Sequence, residues 1–407
     1  MKKLSLLVTI ATLSALLLGC PPKGENGAGG GGGGSKSGDI LVGEYGSLSG
    51  NQATFGQATK NGIELAVSEV NAAGGINGRK VNVLVEDDQS KQEEAANAVT
   101  KLISQNNVIA VLGEVASSAS MAAAPICQSN KVPMITPSST NENVTKRGDY
   151  IFRVCFIDNY QGPVMARFAT QNLKAKRGAI LTDVRNDYST GLTSVIEPTF
   201  NSTGGHIVAK QSYSNGDSDF RPQLTTIKAA NPDAIFIPGY YGDVAQIVSQ
   251  ARDLGITAPF IGGDGWESPK LIEIGGKAMD GCYYANHYFQ GDPAPEVRNF
   301  VDKYKQKYGV IPGALDALGY DAAHVLTDAI KRAGTTDGPK LRDAIAATKN
   351  FKGVTGLVTL GPDRNPINKK IVIIAIKNGQ LTLATTIDPN ASGGGTQNAG
   401  AQGGASK

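Results

Sequence analysis

Short apolar runs rich in β-branched residues alternate with longer segments in which apolar residues recur at helical spacing. From residue 39 onward the pattern gives, in order, strand 40–44, helix 57–71, strand 81–86, helix 92–105, strand 108–112, helix 117–129 and strands 132–135 and 152–156. This alternation is typical of a parallel sheet covered by helices on both faces. The first helix is expected to end near Asn71, because Gly74 and Gly75 supply the left-handed conformation that closes a helix.

The same alternation restarts after residue 156. It gives helix 164–172, strand 178–182, helix 190–201, strand 206–213, helix 221–229, strand 234–237, helix 244–254 and strand 259–261. Helical patterns follow at 295–308, 314–332 and 339–348, and strands at 357–360, 370–376 and 381–387. The sequence therefore predicts an α/β protein with two sheets and a mixed C-terminal part.

The N-terminus has a different pattern. A basic start at Lys2 and Lys3 precedes an apolar run from residue 4 to residue 18, then Gly19 and Cys20. The run is too short to span a bilayer permanently, so residues 1–19 are interpreted as a lipoprotein signal peptide and Cys20 as the lipidated first residue. An ordinary cleaved signal with a chance cysteine is the alternative. Residues 20–38 are Gly-rich and predict a flexible tether, as 390–407 predict a disordered tail.

Composition bounds the folded part. Without these ends about 350 residues remain, more than one core usually holds, so two lobes are expected. The 39 basic and 36 acidic residues are well mixed and give a formal charge of +3, which argues against a nucleic-acid partner. Cys127, Cys155 and Cys282 are widely spaced without a Cys-x-x-Cys pattern, so neither a zinc site nor a redox motif is indicated and no disulfide is predicted.

Several short segments stand out by their order and spacing: GEYGSLSG at 43–50, NAAGGING at 71–78, VLG at 111–113 followed by two serines at 117–118, PMITPSST at 133–140 and Gly-Tyr at 239–240. Together they resemble the leucine/isoleucine/valine receptors among the class I periplasmic binding proteins that serve ABC importers. The resemblance covers about 39–388. It implies a monomer with two Rossmann-like lobes joined by a three-crossing hinge, residues 39–157 and 287–365 in lobe I and 158–286 and 366–389 in lobe II. A ligand would lie in the cleft between them.

Two hydroxyl-rich loops follow neighbouring strands of lobe I, where open α/β sheets place ligands. Ser117 starts a helix whose free N–H groups can bind a carboxylate, although a serine there can also merely cap its own helix. The resemblance assigns the amino and carboxylate groups of the ligand to Ser138 and Thr140, whereas the alternative is a Pro-Ser turn with local hydrogen bonds.

Residues of lobe II are expected to complete the site. Asp264 can neutralise an ammonium group, although Gly-Asp-Gly is also a common turn sequence. The family often has Glu here, and the shorter Asp leaves the substrate open. The resemblance aligns Tyr188 and Tyr240 with tyrosines that close over the ligand. Phe55 and Trp266 are candidate wall residues that can equally be ordinary packing.

The sequence thus predicts an extracytoplasmic, lipid-anchored receptor that captures an amino acid, of aliphatic or branched-chain type, and delivers it to an ABC permease. It shows no phosphate loop, no Gly-x-Ser-x-Gly elbow and no Cys-His pair, and His206, His287 and His324 lie in unrelated segments, so no enzyme is predicted.

No metal or other cofactor is expected, because the acidic run 86–88 is interpreted as a solvated strand end. The disulfide common in branched-chain receptors is not expected, because Ala116 and 89–92 offer no cysteine. A sensory receptor, or a receptor for an amide, amino alcohol or carboxylate, is the alternative.

Overall fold

The computed structural model describes residues 38–387 and the short strand Gln397–Asn398. The predicted signal peptide, Cys20, the tether up to residue 37 and most of the predicted tail lie outside the described residues. Among the residues that are described, no helix combines the length and apolar character that a membrane span requires.

A five-stranded parallel sheet in the order β2-β1-β3-β4-β5 forms the core of lobe I. Its elements are β1 (Ile40–Gly46), α1 (Ala53–Ala72), β2 (Val81–Asp87), α2 (Gln92–Ser104), β3 (Val111–Leu112), α3 (Ser117–Ser129), β4 (Met134–Thr136) and β5 (Ile151–Arg153). The residues of β3, β4 and β5 are all buried, because helices cover both faces of the sheet. Its edge strand β2 is less completely covered, and most of its side chains are partly exposed.

A second sheet forms the core of lobe II. Its first elements are α4 (Asp158–Gln171), β6 (Arg177–Asp183), α5 (Asp187–Ser202), β7 (His206–Tyr213), α6 (Arg221–Ala229), β8 (Ala234–Phe236), α7 (Tyr241–Asp253), β9 (Phe260–Gly262), α8 (Pro269–Gly275) and β10 (Tyr283–Asn286). The strands β7, β6, β8, β9 and β10 lie side by side and are parallel.

The C-terminal part of the chain contributes to both lobes. It contains α9 (Pro295–Tyr308), α10 (Ala314–Ala333), α11 (Gly338–Ala346), β11 (Phe351–Gly353), β12 (Gly356–Val358), β13 (Ile371–Lys377), β14 (Gln380–Ile387) and β15 (Gln397–Asn398). Helix α10 packs along α1, and β13 to β15 extend the second sheet in antiparallel pairing, so that sheet is mixed. Three segments therefore link the lobes, between β5 and α4, between β10 and α9, and between β12 and β13.

Candidate functional site

The carboxyl ends of the parallel strands of both lobes meet at the cleft. In lobe I the loops after β3 and β4 carry Val115, Ser138 and Thr140, and in lobe II the loops after β8 and β9 carry Tyr240 and Asp264. Helix N-termini and loop backbones gather at this edge of a parallel sheet, which makes it the usual place for a ligand in α/β proteins.

A chamber lies between the lobes at this point, and its lining side chains leave only about 10 Å³ of free space. It is lined by Phe55, Val115, Ser138, Thr140, Tyr188, Tyr240, Asp264, Gly265 and Leu315. Six of the eight ligand-binding residues predicted from the sequence are thus brought together, and Ser117 and Trp266 are not among them. This free space is about that of one water molecule, so the lobes must move apart before a larger ligand can enter.

Aromatic rings from both lobes form one wall of the chamber. Tyr188 stacks on Tyr240 with ring centroids 5.2 Å apart, and the edge of Phe55 approaches Tyr240 at 5.4 Å. The Tyr188 hydroxyl accepts a hydrogen bond of 3.1 Å from the Gly265 N–H. Burial raises the pKa of Tyr188 well above its ordinary value, so the phenol stays neutral. The ring faces therefore present an apolar wall, and the Tyr188 hydroxyl is engaged by the backbone.

The Asp264 carboxyl is held on both oxygens. The Gln161 side-chain amide donates to Oδ1 at 2.9 Å, and its carbonyl accepts from the Asp264 N–H at 3.2 Å. His287 Nε2 lies 2.9 Å from Oδ2, and the Ser138 hydroxyl donates to the same oxygen across the cleft at 3.4 Å. This arrangement fixes a buried acidic group at the chamber wall, where it can accept from a ligand ammonium.

His287 stands behind Asp264, away from the aromatic wall. Its ring is 1% exposed and stacks on Phe156 with centroids 3.7 Å apart. Burial lowers the pKa of His287, although Asp264 raises it by hydrogen bonding and charge. The imidazole is therefore neutral at pH 7 and donates its Nε2–H to the carboxylate. Phe156 and His287 belong to two of the segments that link the lobes, so this contact joins the site to the hinge.

Asp158 adds a second acidic group close behind the chamber. It is the first residue of α4, and Gln161 Nε2 also donates to its Oδ1 at 2.8 Å. Burial, together with repulsion from Asp264, raises the pKa of Asp158 to about 7. Gln161 thus bridges two carboxyl groups, and the charge of Asp158 changes near neutral pH.

Ser117 does not reach the chamber. Its hydroxyl accepts a 3.2 Å hydrogen bond from the Asn141 N–H, and α3 has Ala116 as its N-cap residue. The Ala116 N–H, one of the free amide groups expected at this helix start, donates to the Glu114 carboxyl. Ser117 therefore neither caps its own helix nor lines the chamber; it ties the loop after β4 to α3.

Trp266 lies beside the chamber and inside the core. It is fully buried, and its indole N–H donates to the Ile237 carbonyl at 3.0 Å. Its ring packs directly against Gly262, where a Cβ would meet it at 2.0 Å. Adjacency to Asp264 in sequence is a poor guide here, because the turn at 264–266 sends the two side chains in different directions.

Gln161, His287 and Leu315 contribute to the site without having been predicted. His287 follows directly after β10. Ligands bind at the carboxyl ends of parallel strands, so a prediction of β10 would also have selected His287. Leu315 lies in the first turn of α10 and reaches the chamber from the C-terminal part of the chain. The sequence does not identify Gln161 as a site residue, because an amide side chain in a helix most often lies at the surface.

The lobes contact each other directly around the chamber. The Ser118 hydroxyl donates to Asp187 Oδ2 at 2.8 Å, and the Asn141 amide donates to the Asp187 carbonyl at 2.7 Å. At the other side Asn51 donates to Asn215 at 2.8 Å. These contacts, made by both lobes, define a closed arrangement that shields the chamber from water.

Comparison with known proteins agrees with this architecture. A family model described as periplasmic binding protein matches residues 39–380. The chain is 29% identical over 348 residues to the Leu/Ile/Val-binding protein BraC3 of Rhizobium johnstonii, covering 85% of this chain and 94% of the relative.

Two solved structures are similar in fold and sequence. The leucine-binding protein LivK of Thermotoga maritima is 42% identical with a TM-score of 0.83, over 86% of this chain and 99% of that one. The branched-chain amino acid transporter substrate-binding protein LivJ of Streptococcus pneumoniae, in complex with isoleucine, is 34% identical with a TM-score of 0.82, over 86% of this chain and 100% of that one.

Proposed function

The chain belongs to the periplasmic binding protein family, and from that premise we propose that it captures an amino acid with an aliphatic side chain between its lobes and delivers it to an ABC permease. The observation that carries the proposal is the chamber itself, which sets one fixed acidic group and two hydroxyl-bearing residues beside an apolar wall. A free amino acid presents the matching groups: an ammonium, a carboxylate and an apolar side chain.

Each ligand group has a proposed partner. Asp264 receives the ammonium, because it is held in place by His287 and Gln161 and is 6% exposed. Ser138 and Thr140 receive the carboxylate, and Tyr188, Tyr240 and Phe55 cover the side chain. Ser117 supports the loop that carries Thr140 instead of touching the ligand. The chamber holds no reactive Cys–His or Ser–His pair among its lining residues, which supports binding without catalysis.

Closure follows from the distribution of these partners. Asp264 and the tyrosines belong to lobe II, and Ser138, Thr140 and Phe55 belong to lobe I. A ligand that contacts both lobes stabilises the closed population by the difference between its affinities for the closed and open forms. A permease that recognises the closed arrangement would then receive only loaded protein.

The test is a calorimetric titration of the full chain after unfolding and refolding to remove bound ligand. Leucine, isoleucine, valine and alanine are compared with 4-methylpentanoate, which lacks the amino group, and 3-methylbutylamine, which lacks the carboxylate. We expect binding of aliphatic amino acids and loss of at least about 30-fold in affinity for either analogue, because a buried charged partner is left unpaired. Equal binding of 4-methylpentanoate would favour a carboxylate receptor instead.

The variant Asp264→Asn tests the ammonium site. It keeps the shape of the side chain and removes its charge, so we expect a loss of at least about 30-fold in amino-acid affinity. Asp302→Asn, on the exposed face of α9, is the matched control and should bind as the unaltered chain does. Unchanged affinity in Asp264→Asn would remove Asp264 from the site.

The lipid anchor is the second part of the proposal and rests on the sequence around Cys20. Cells that express the chain are labelled with a clickable fatty acid, and we expect label on the chain and its recovery with membranes. Cys20→Ser should abolish both, whereas Cys127→Ser, a buried free cysteine, should change neither. Label retained in Cys20→Ser would disprove anchoring at this residue.

A further inference from the structure

A groove on lobe I lies between α1 and the edge of the sheet, outside the cleft. It has a volume of about 1,050 Å³, part of it open to solvent. One helical stripe of α1 forms its outer wall, and it is lined by Glu44, Lys60, Glu64, Val67, Ser68, Asn71 and residues 81–85. β2 is the edge strand of the first sheet, so among the described residues no further strand of that sheet lies beside it.

The floor of the groove is apolar except at one position. In the register of β1 with β2, Val42 pairs with Val83 and Glu44 pairs with Val85, so these side chains share one face of the sheet. Val67 closes the floor from α1. The alternation along β1 predicts an apolar side chain at position 44, but the residue there is a glutamate.

Glu44 has no protein partner that compensates its burial. It is 3% exposed, and its side-chain carboxyl makes no hydrogen bond to any residue that the structure describes. Lys60, whose charge acts on it, lies at the rim and forms its ion pair with Glu64 at 3.3 Å. Burial raises the pKa of Glu44 to about 8. A buried polar group without a partner is costly, and such groups cluster at functional sites.

We infer that this groove is a second binding site, which takes a small organic cation with an apolar body: its ammonium pairs with Glu44 and its alkyl part lies on Val67, Val83 and Val85. An ammonium supplies the hydrogen bonds and the charge that Glu44 does not receive from the protein. The valines remove the alkyl part from water, which stabilises the bound amine beyond its ion pair. The site goes beyond the proposed transport function and does not depend on it.

The experiment uses the full chain and n-hexylamine, a cation at neutral pH, as the probe. Binding is followed by calorimetry and compared with 1-hexanol and hexanoate, which have the same apolar length without the positive charge. We expect saturable binding of hexylammonium, and at least tenfold weaker binding of both analogues. Hexanol binding as tightly as hexylammonium would reduce the groove to an unspecific apolar surface and overturn the inference.

Two variants locate the site. Glu44→Gln keeps the size of the side chain and should weaken hexylammonium at least tenfold, while Asp302→Asn, exposed on α9 and outside the groove, should leave its affinity within a factor of about two. Neither variant should change amino-acid affinity. Equal binding in Glu44→Gln and the unaltered chain, or displacement of the probe by leucine, would place the amine elsewhere and overturn the inference.

The pH profile gives a further readout. The ammonium binds the ionised form of Glu44, which is scarce below a pKa of about 8. Affinity should therefore rise about tenfold between pH 6 and pH 7, rise further up to pH 8 and level off above it, and Glu44→Gln should show no such rise. A profile of the unaltered chain that is flat over this range would contradict the assignment to Glu44.

Discussion

His287 and Gln161 hold the Asp264 carboxyl from two sides, although the three residues are far apart along the chain. A neutral imidazole donates one hydrogen bond and leaves the negative charge of the carboxylate available to a ligand. A protonated imidazole would neutralise that charge and compete with a ligand ammonium. The protonation state of one side chain behind the chamber therefore governs its affinity for a cation.

Amino-acid affinity is expected to fall in acid because of His287. Burial lowers the pKa of His287 below its ordinary value near 6.5, so the charge appears only as the pH falls below that value. We expect the dissociation constant for leucine to rise between pH 7 and pH 5 and to rise less in His287→Gln. His206→Gln, at an exposed position on β7, serves as the control. The same pH dependence in His287→Gln and in the unaltered chain would assign the effect to another group, such as Asp158.

At the residue scale the sequence predicts the residues that line the chamber better than the residues that support them. Ser138, Thr140, Tyr240 and Asp264 follow strand ends, and a general rule selects such positions. The partners of Asp264 come from positions 103 and 23 residues away, and no local pattern connects them. The partner of a buried carboxyl depends on how the segments that link the lobes cross. Tertiary packing determines that crossing.

At the scale of elements, periodicity predicts long amphipathic segments well. The bounds predicted for α3, β7, α6 and α9 are confirmed residue by residue. The short strand β10 and the seven-residue helix α8 were missed, because neither is long enough to show a period. The first helix begins at Ala53, four residues before the predicted start.

The contact of α1 with α10 depends on two glycines. A Cβ at Gly62 would lie 2.0 Å from the Asp316 carbonyl oxygen, and one at Gly319 would lie 2.4 Å from the Thr59 carbonyl oxygen. The two helices therefore approach backbone to backbone. This close approach matters for the site, because Leu315 in the first turn of α10 lies in the chamber wall.

Gly62→Ala should force the two helices apart. We expect the free energy of unfolding in urea to fall by about 1–3 kcal/mol, as for other overpacked cores. Gly242→Ala is the matched control, since this helical glycine has nothing within 4 Å of a Cβ. It should leave stability unchanged or raise it by up to about 1 kcal/mol, because alanine favours the helix. Equal effects of both substitutions would show that the α1–α10 contact is not tight.

At the scale of the whole molecule, the chain buries several carboxyl groups with raised pKa values. The values are about 6 for Asp88, about 7 for Asp158, Asp243 and Asp316, and about 8 for Glu44 and Glu114. Burial is the largest cause in each case, and the groups are spread over both lobes. The folded protein thus retains protons at pH 7 that the unfolded chain, with ordinary values near 4, has lost.

This difference predicts that stability falls as the pH rises. A carboxyl whose pKa is raised on folding contributes its full stability below about pH 4 and loses it progressively up to its folded value, here about 6 to 8. The pKa values of His287 and His324 are lowered, which makes stability increase with pH, but only below about pH 6.5. The pKa of Lys369 is lowered to about 8 and has the same effect only at higher pH. Between pH 6.5 and pH 8 the carboxyls therefore dominate, and we expect the melting temperature to drop by several degrees.

Two variants test this expectation. Glu44→Gln should reduce the slope of melting temperature against pH and Glu64→Gln should not, since the pKa of Glu64 is lowered. A melting temperature that rises over this interval would mean that these carboxyls are ionised and paired in the folded protein.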